Sequence, residues 1–181
     1  MKKFELTAEF VTNVFGKKLF RIKALVAFGN VEKGELGGFI EKEDNLSHDG
    51  NAWVFGNAWV YGNAQVYGNA QVFGNAWVYG NAQVYGNAWV YGNAQVSGDA
   101  RVYGDADYAV VKGFGRCFRT TTFFRCKDKI LRVQCGCFYG DLAQFREIVK
   151  KTHGDSKYAK EYLAIADLME LHFSDECGGE Q

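Results

Sequence analysis

Three histidines, His48, His153 and His172, and five cysteines are the side chains of this 181-residue chain best equipped for acid–base, nucleophilic or metal chemistry. A metal-dependent hydrolase needs three such ligands converging on one ion, and acyl transfer needs a base held beside the acyl acceptor. The spacings suit neither. His153 and His172 end two expected helices, where a cation complements the helix dipole. His48 precedes a repeat, in the column that valine occupies later, and reads as a capping residue. Cys126, Cys135 and Cys137 are expected on one face of a hairpin, with Cys117 on the other. No CxxC pair occurs, and Cys-Gly-Cys is an unusual zinc spacing. Reduced thiols in a core explain them better. No catalytic residue, metal or cofactor is therefore assigned, and the chain is read as a non-enzyme.

Charge and aromatic residues offer binding chemistry instead. Overall charge is balanced, 21 basic residues against 21 acidic, which excludes a generally basic nucleic-acid binder and an acidic mimic of nucleic acid. Locally the balance breaks. Lys112, Arg116, Arg119, Arg125, Lys127, Lys129 and Arg132 face a single acid, Asp128, a net of +6. Phe114, Phe118, Phe123 and Phe124 are interleaved with them. Cations among aromatics can hold phosphates while stacking bases, so this basic hairpin is a candidate nucleic-acid contact. Hairpin core and ion pairs to the C-terminal helices would account for the same residues.

What positions these groups is a period of six. From Gly50, nine consecutive hexads read Gly, Asn or Asp, Ala, a variable residue, Val, then an aromatic or Ser, before the pattern decays at Tyr108. Such self-similarity marks a solenoid. In an antiparallel meander, residues flanking each Gly-Asn turn would point the same way, so Tyr61 would share a face with Ala64 and neither face would be uniform. A parallel coil turns every Ala and Val inward and every aromatic outward. Two large aromatics per hexad could not be packed in the narrow interior at protein density. Three hexads per coil give about three coils and sort the outward positions by face. The first carries Trp53, Phe55, Gln71, Phe73, Trp89 and Tyr91. A second carries Trp59, Tyr61, Trp77, Tyr79, Gln95 and Ser97. Gln65, Tyr67, Gln83, Tyr85, Arg101 and Tyr103 occupy the third. All four tryptophans fall on two faces, and Trp59, Tyr61, Trp77 and Tyr79 form a block large enough for an interaction patch. Three uses are open: ladders that steady the coil, a homo-oligomer interface, or a foreign partner.

Open strand edges above and below a coil need covers. Residues 1–49 supply a β-rich N-terminal cap with strands around Asn13–Lys17, residues 50–109 the β-helix, and residues 110–181 a C-terminal α+β cap. In the last, RTTTFFRC and ILRVQCGCF form the hairpin, Asp141 and Gln144 open a helix to about His153, and a second helix runs from about Ser156 to His172. The amino terminus lacks the apolar stretch of a signal peptide, and no run approaches the roughly 20 residues of a membrane span, so a cytoplasmic protein without a membrane partner is expected.

The Ala-x-Val and Gly-Asn columns resemble the hexapeptide-repeat superfamily, which implies a left-handed parallel β-helix and, frequently, an oligomer. GELGGFIEKEDNLSHDGNAWV before the repeats and TTTFFRCKD, CGCF and FREIVKKTHGDSKYAKEYL after them resemble small hexapeptide-repeat proteins of phages and prophages. That resemblance implies a binder of host machinery in the bacterial cytoplasm, for example an inhibitor of a defence protein such as an anti-CRISPR. Superfamily acyltransferases imply a second activity, but they typically use a histidine near a subunit junction and loops protruding from the coils. No histidine and no such loop lies between Gly50 and Tyr103.

Overall fold

The structure, a computed structural model, describes residues 2–174. Its centre is a mainly β, parallel β-solenoid of about four turns. Nine two-residue strands follow one another at six-residue intervals: Trp53–Val54 (β4), Trp59–Val60 (β5), Gln65–Val66 (β6), Gln71–Val72 (β7), Trp77–Val78 (β8), Gln83–Val84 (β9), Trp89–Val90 (β10), Gln95–Val96 (β11) and Arg101–Val102 (β12). Each of the first six pairs in parallel with the strand 18 residues on, as in Trp59 with Trp77 and Gln65 with Gln83. The three faces are therefore β4-β7-β10, β5-β8-β11 and β6-β9-β12. Every Ala and Val of the nine hexads is fully buried in the interior. Corner glycines from Gly50 to Gly98 take positive φ, and at Gly50, Gly80 and Gly86 a Cβ would lie within 3.0 Å of the backbone of the next coil. Asparagines stack along the corners, with Asn51 donating to Asn69, Asn69 to Asn87, and Asn81 to Asp99.

The solenoid starts one turn earlier than the hexads. Leu36–Ile40 (β3) pairs in parallel with β5, and Leu46 bridges to Val66. Both pairings span 20 residues because the step from Leu46 to Val54 has eight residues, not six. That insertion moves His48 out of the valine column and corrects its placement. Its ring stacks on Phe4 at 4.3 Å, and its Nδ1 accepts from the Lys3 backbone at 3.2 Å.

Both ends are plugged. Phe4–Thr12 (β1) and Lys18–Ala24 (β2) form an antiparallel hairpin that joins β3, extending the second face into a six-stranded sheet. Phe4, Ile22 and Ile40 close the interior from below. Lys3, only 3% exposed, donates its ammonium to the carbonyls of Ala52 at 2.9 Å and Gly50 at 3.3 Å, which face the end of the coil. At the other end the expected hairpin is the middle of a four-stranded antiparallel sheet: Tyr108–Phe114 (β13), Arg119–Arg125 (β14), Leu131–Cys135 (β15) and Phe138–Asp141 (β16). Tyr108, Phe124 and Cys126 point into the solenoid. Phe123, Val133 and Cys135 point away, onto helices Leu142–His153 (α1) and Lys157–His172 (α2). The capping box is as expected: Gln144 N–H donates to Asp141 Oδ1 at 2.8 Å and Asp141 N–H to Gln144 Oε1 at 3.0 Å. Ser156 caps α2.

Candidate functional site

The outward residues divide by how the caps fall on them. Trp53 is fully buried, corrected from a surface position, because Phe4 and Phe28 pack edge-on against its ring at 6.2 and 5.4 Å. Tyr61 is buried too, beneath the N-terminal hairpin, in a cluster with Leu19 and Phe39. Burial pushes the Tyr61 and Tyr79 hydroxyls above the usual phenol range. Trp59, Trp77 and Tyr79 stay half-buried, while Trp89 and Tyr91 on the first face are 49% and 54% exposed.

Strand spacing then fixes how the remaining rings meet. Trp59 and Trp77 stack at 4.9 Å with 1° between their planes, and Tyr61 and Tyr79 at 5.1 Å with 3°. On the third face Tyr67 and Tyr85 stack at 5.0 Å, and Arg101 donates to Gln83, which donates to Gln65. Rings piled in this way cover one another's faces and turn their edges outward. An open face survives only where a ladder ends. At Gln95 the tryptophan ladder stops, and Trp77 there lines a groove of about 330 Å³ with Asn93, Gln95, Lys112, Arg119 and Thr120.

That groove joins two motifs far apart in sequence, the aromatic face and the start of the basic run. The other cations go elsewhere. Arg125, Lys127, Lys129 and Arg132 gather at the opposite end of β14, roughly 20 Å from Arg119 at about 3.3 Å per residue. Arg125 donates to the Phe173 carbonyl at 2.9 Å, and Arg132 pairs with Asp128 at 2.7 Å. Arg116 and Arg119 border a second cleft, under α1. The +6 run is thus not one basic face, a correction that follows from an extended strand separating its ends. Of the interleaved aromatics, Phe123 and Phe124 are buried on opposite faces of the sheet, and Phe114 and Phe118 are exposed.

The cysteines are redistributed as well. Cys126 lies on the solenoid side of the sheet and Cys135 on the helix side, so the expected shared face is corrected by the alternation of strand residues. Cys117, Cys135 and Cys137 meet instead at the cleft under α1. Among the described residues no group of three His, Cys, Asp or Glu side chains is placed to hold a metal ion. His153 stacks on Tyr162 at 5.9 Å, His172 packs edge-on to Phe173, and His48 lies beside Lys3 and Glu43.

Comparison with known proteins bears on the coil. A family model described as the YdcK beta solenoid repeat matches residues 64–80, 82–98 and 94–106. The chain is a β-solenoid repeat protein. No curated protein matches it at a significant level. The matched segments begin at Ala64 and stop at Ala106, so they cover part of the solenoid and neither of the plugs that shape the groove at Trp77. Among the described residues no helix is long and apolar enough to cross a membrane.

Proposed function

We propose that this β-solenoid is a non-catalytic protein-binding scaffold whose contact surface is the groove at the end of the Trp59–Trp77 ladder. The observation that carries the reading is the convergence of Trp77, Lys112 and Arg119 on one groove although 42 residues separate the first from the last. Tryptophan and arginine dominate the energetics of protein interfaces, and amide side chains such as Asn93 and Gln95 give polar contacts around them. The two cations select a partner with an acidic patch. Trp89 and Tyr91 broaden the surface on the neighbouring face and suit a second copy of the chain. The resemblance to phage-encoded members of the hexapeptide-repeat superfamily extends the proposal to a host protein in the bacterial cytoplasm, a defence nuclease among the candidates. Nucleic acid through Lys112 and Arg119 is the competing reading.

Capture from host lysate followed by mass spectrometry identifies the partner, and two variants test the surface. Trp77→Gln places at position 77 a residue already present at the equivalent Gln71 and Gln83, and Lys112→Glu reverses an exposed charge. Both should stay folded, Trp77→Gln melting a few degrees lower because it loses the stack on Trp59, and both should lose the captured protein. An unchanged capture profile together with an unchanged mass in solution would refute the proposal. Binding of a single-stranded oligonucleotide with a steep salt dependence would favour the nucleic-acid reading.

A further inference from the structure

We propose that the cleft between the C-terminal sheet and α1 is a binding site for a small amphipathic carboxylate, of the class of a medium-chain fatty acid. The cleft measures about 350 Å³, and much of its wall is apolar, with Phe138, Phe145, Ile148 and Val149 among its lining residues. Its floor is built by Phe145, Val149 and Tyr162, each less than 8% exposed, with Phe138 and Ile148 toward the mouth. That volume sits at the lower end of the range of about 300–1,000 Å³ typical of small-molecule sites. A short acyl chain fits it better than a nucleotide or a peptide.

The mouth supplies the charge. Arg116 stands in the turn between β13 and β14 and Arg119 opens β14, and both line the cleft. Neither is ion-paired to a carboxylate of the described residues. Glu161, which touches that turn, is engaged in accepting from Gly115 N–H at 2.9 Å and facing Lys157 at 3.6 Å. Two guanidiniums over an apolar floor match a ligand with one anionic end and one hydrocarbon end. The turn is held in place rather than loose. Gly115 has φ +72°, and a Cβ there would lie 2.2 Å from Tyr162 Oη. Phe118 adopts φ +50° at 68% exposure.

The experiment is calorimetric titration of the intact protein with octanoate, octanol and acetate, with iodoacetamide labelling of Cys135 read by peptide mass mapping. Octanoate should bind saturably, at least tenfold more tightly than octanol or acetate. Arg116→Ala should weaken octanoate by about ten- to a hundredfold, the loss of a charge-assisted hydrogen bond, and leave octanol unchanged. Ile148→Trp, a replacement at an exposed position of the mouth, should abolish binding with an unchanged melting temperature. Bound octanoate should slow alkylation of Cys135. Equal affinity for octanol and octanoate, no effect of Arg116→Ala, an unchanged Cys135 labelling rate, or no octanoate binding at millimolar concentration would each overturn the assignment.

Discussion

Replacing Trp53 and Trp89 by glutamine separates the two roles that the repeat gives its tryptophans. They occupy the same face two coils apart, and Gln71 between them shows that the position accepts glutamine. Their surroundings differ completely. Trp53 is fully buried against Phe4 and Phe28, whereas Trp89 is half exposed. Truncating a buried Trp costs about 3–5 kcal/mol, and leaving a glutamine amide unpaired in the resulting space adds about 1–3 kcal/mol. The indole N–H of Trp53 has no hydrogen-bond partner, so no lost bond enlarges the figure. Trp89→Gln at a half-exposed site should cost about 1 kcal/mol or less. At about 2–4 °C per kcal/mol for a domain of this size, Trp53→Gln should lower the melting temperature by roughly 8–30 °C and Trp89→Gln by a few degrees. Thermal unfolding followed by far-ultraviolet circular dichroism measures both. Equal shifts for the two variants would refute the packing of the N-terminal plug on the first face.

Gly80→Ala should be more damaging than Gly92→Ala, because both glycines have positive φ but only at Gly80 would the Cβ lie 2.9 Å from a backbone atom, the nitrogen of Gly98; urea midpoints of the two variants decide this. Asp141→Ala should remove about 0.5–2 kcal/mol by uncapping α1, measured by urea unfolding, and Asp141→Asn should restore most of it. Burial lowers the Lys3 ammonium to about 8, below its unfolded value, so the unfolded chain binds more protons between pH 8 and 10 and this group favours folding increasingly as pH rises through that window. The difference in melting temperature between wild type and Lys3→Met should therefore shift toward the wild type from pH 7.5 to 10, and a difference independent of pH would contradict the burial of Lys3.

The inner columns of the solenoid were legible because they depend only on period. Ala and Val recur every six residues, a pleated chain sends alternate residues to opposite sides, and the 18-residue pairing of Trp59 with Trp77 follows from three hexads per coil. The capping box at Asp141 was legible for the same kind of reason, since both partners lie within one helical turn. Outward positions were only half legible. Whether an aromatic meets solvent depends on segments distant in sequence, as with Tyr61 beneath a hairpin that contains Leu19. Ile40 and Leu46 are legible as degenerate inward positions ahead of the repeats, but the eight-residue step between Leu46 and Val54 breaks the six-residue register and hides that they make a further turn. The basic run read as one patch because linear density carries no information about which end of a strand each cation occupies.

The departures from the consensus in the last rung of the second face have a structural explanation that can be tested. Where earlier coils have Trp and Tyr, this rung has Gln95 and Ser97, and here the C-terminal sheet docks. Gln95 N–H donates to Thr122 Oγ1 at 3.0 Å, and Ser97 Oγ donates to Gln134 Oε1 at 3.1 Å, with Ser97 only 2% exposed. A third tyrosine would extend the Tyr61–Tyr79 ladder, worth about 0.5–1.5 kcal/mol for the added stack. It would also force a phenol ring into the space that Gln134 fills, an overpacking cost of about 1–3 kcal/mol, and leave the Gln134 carbonyl without its donor at about 1–3 kcal/mol more. The losses exceed the gain, so Ser97→Tyr should destabilise the protein and loosen the sheet from the solenoid. Amide hydrogen exchange should then accelerate in β14 and β15 while the inner coils stay protected. A stabilised Ser97→Tyr variant would show instead that the ladder governs this rung and that the sheet accommodates it.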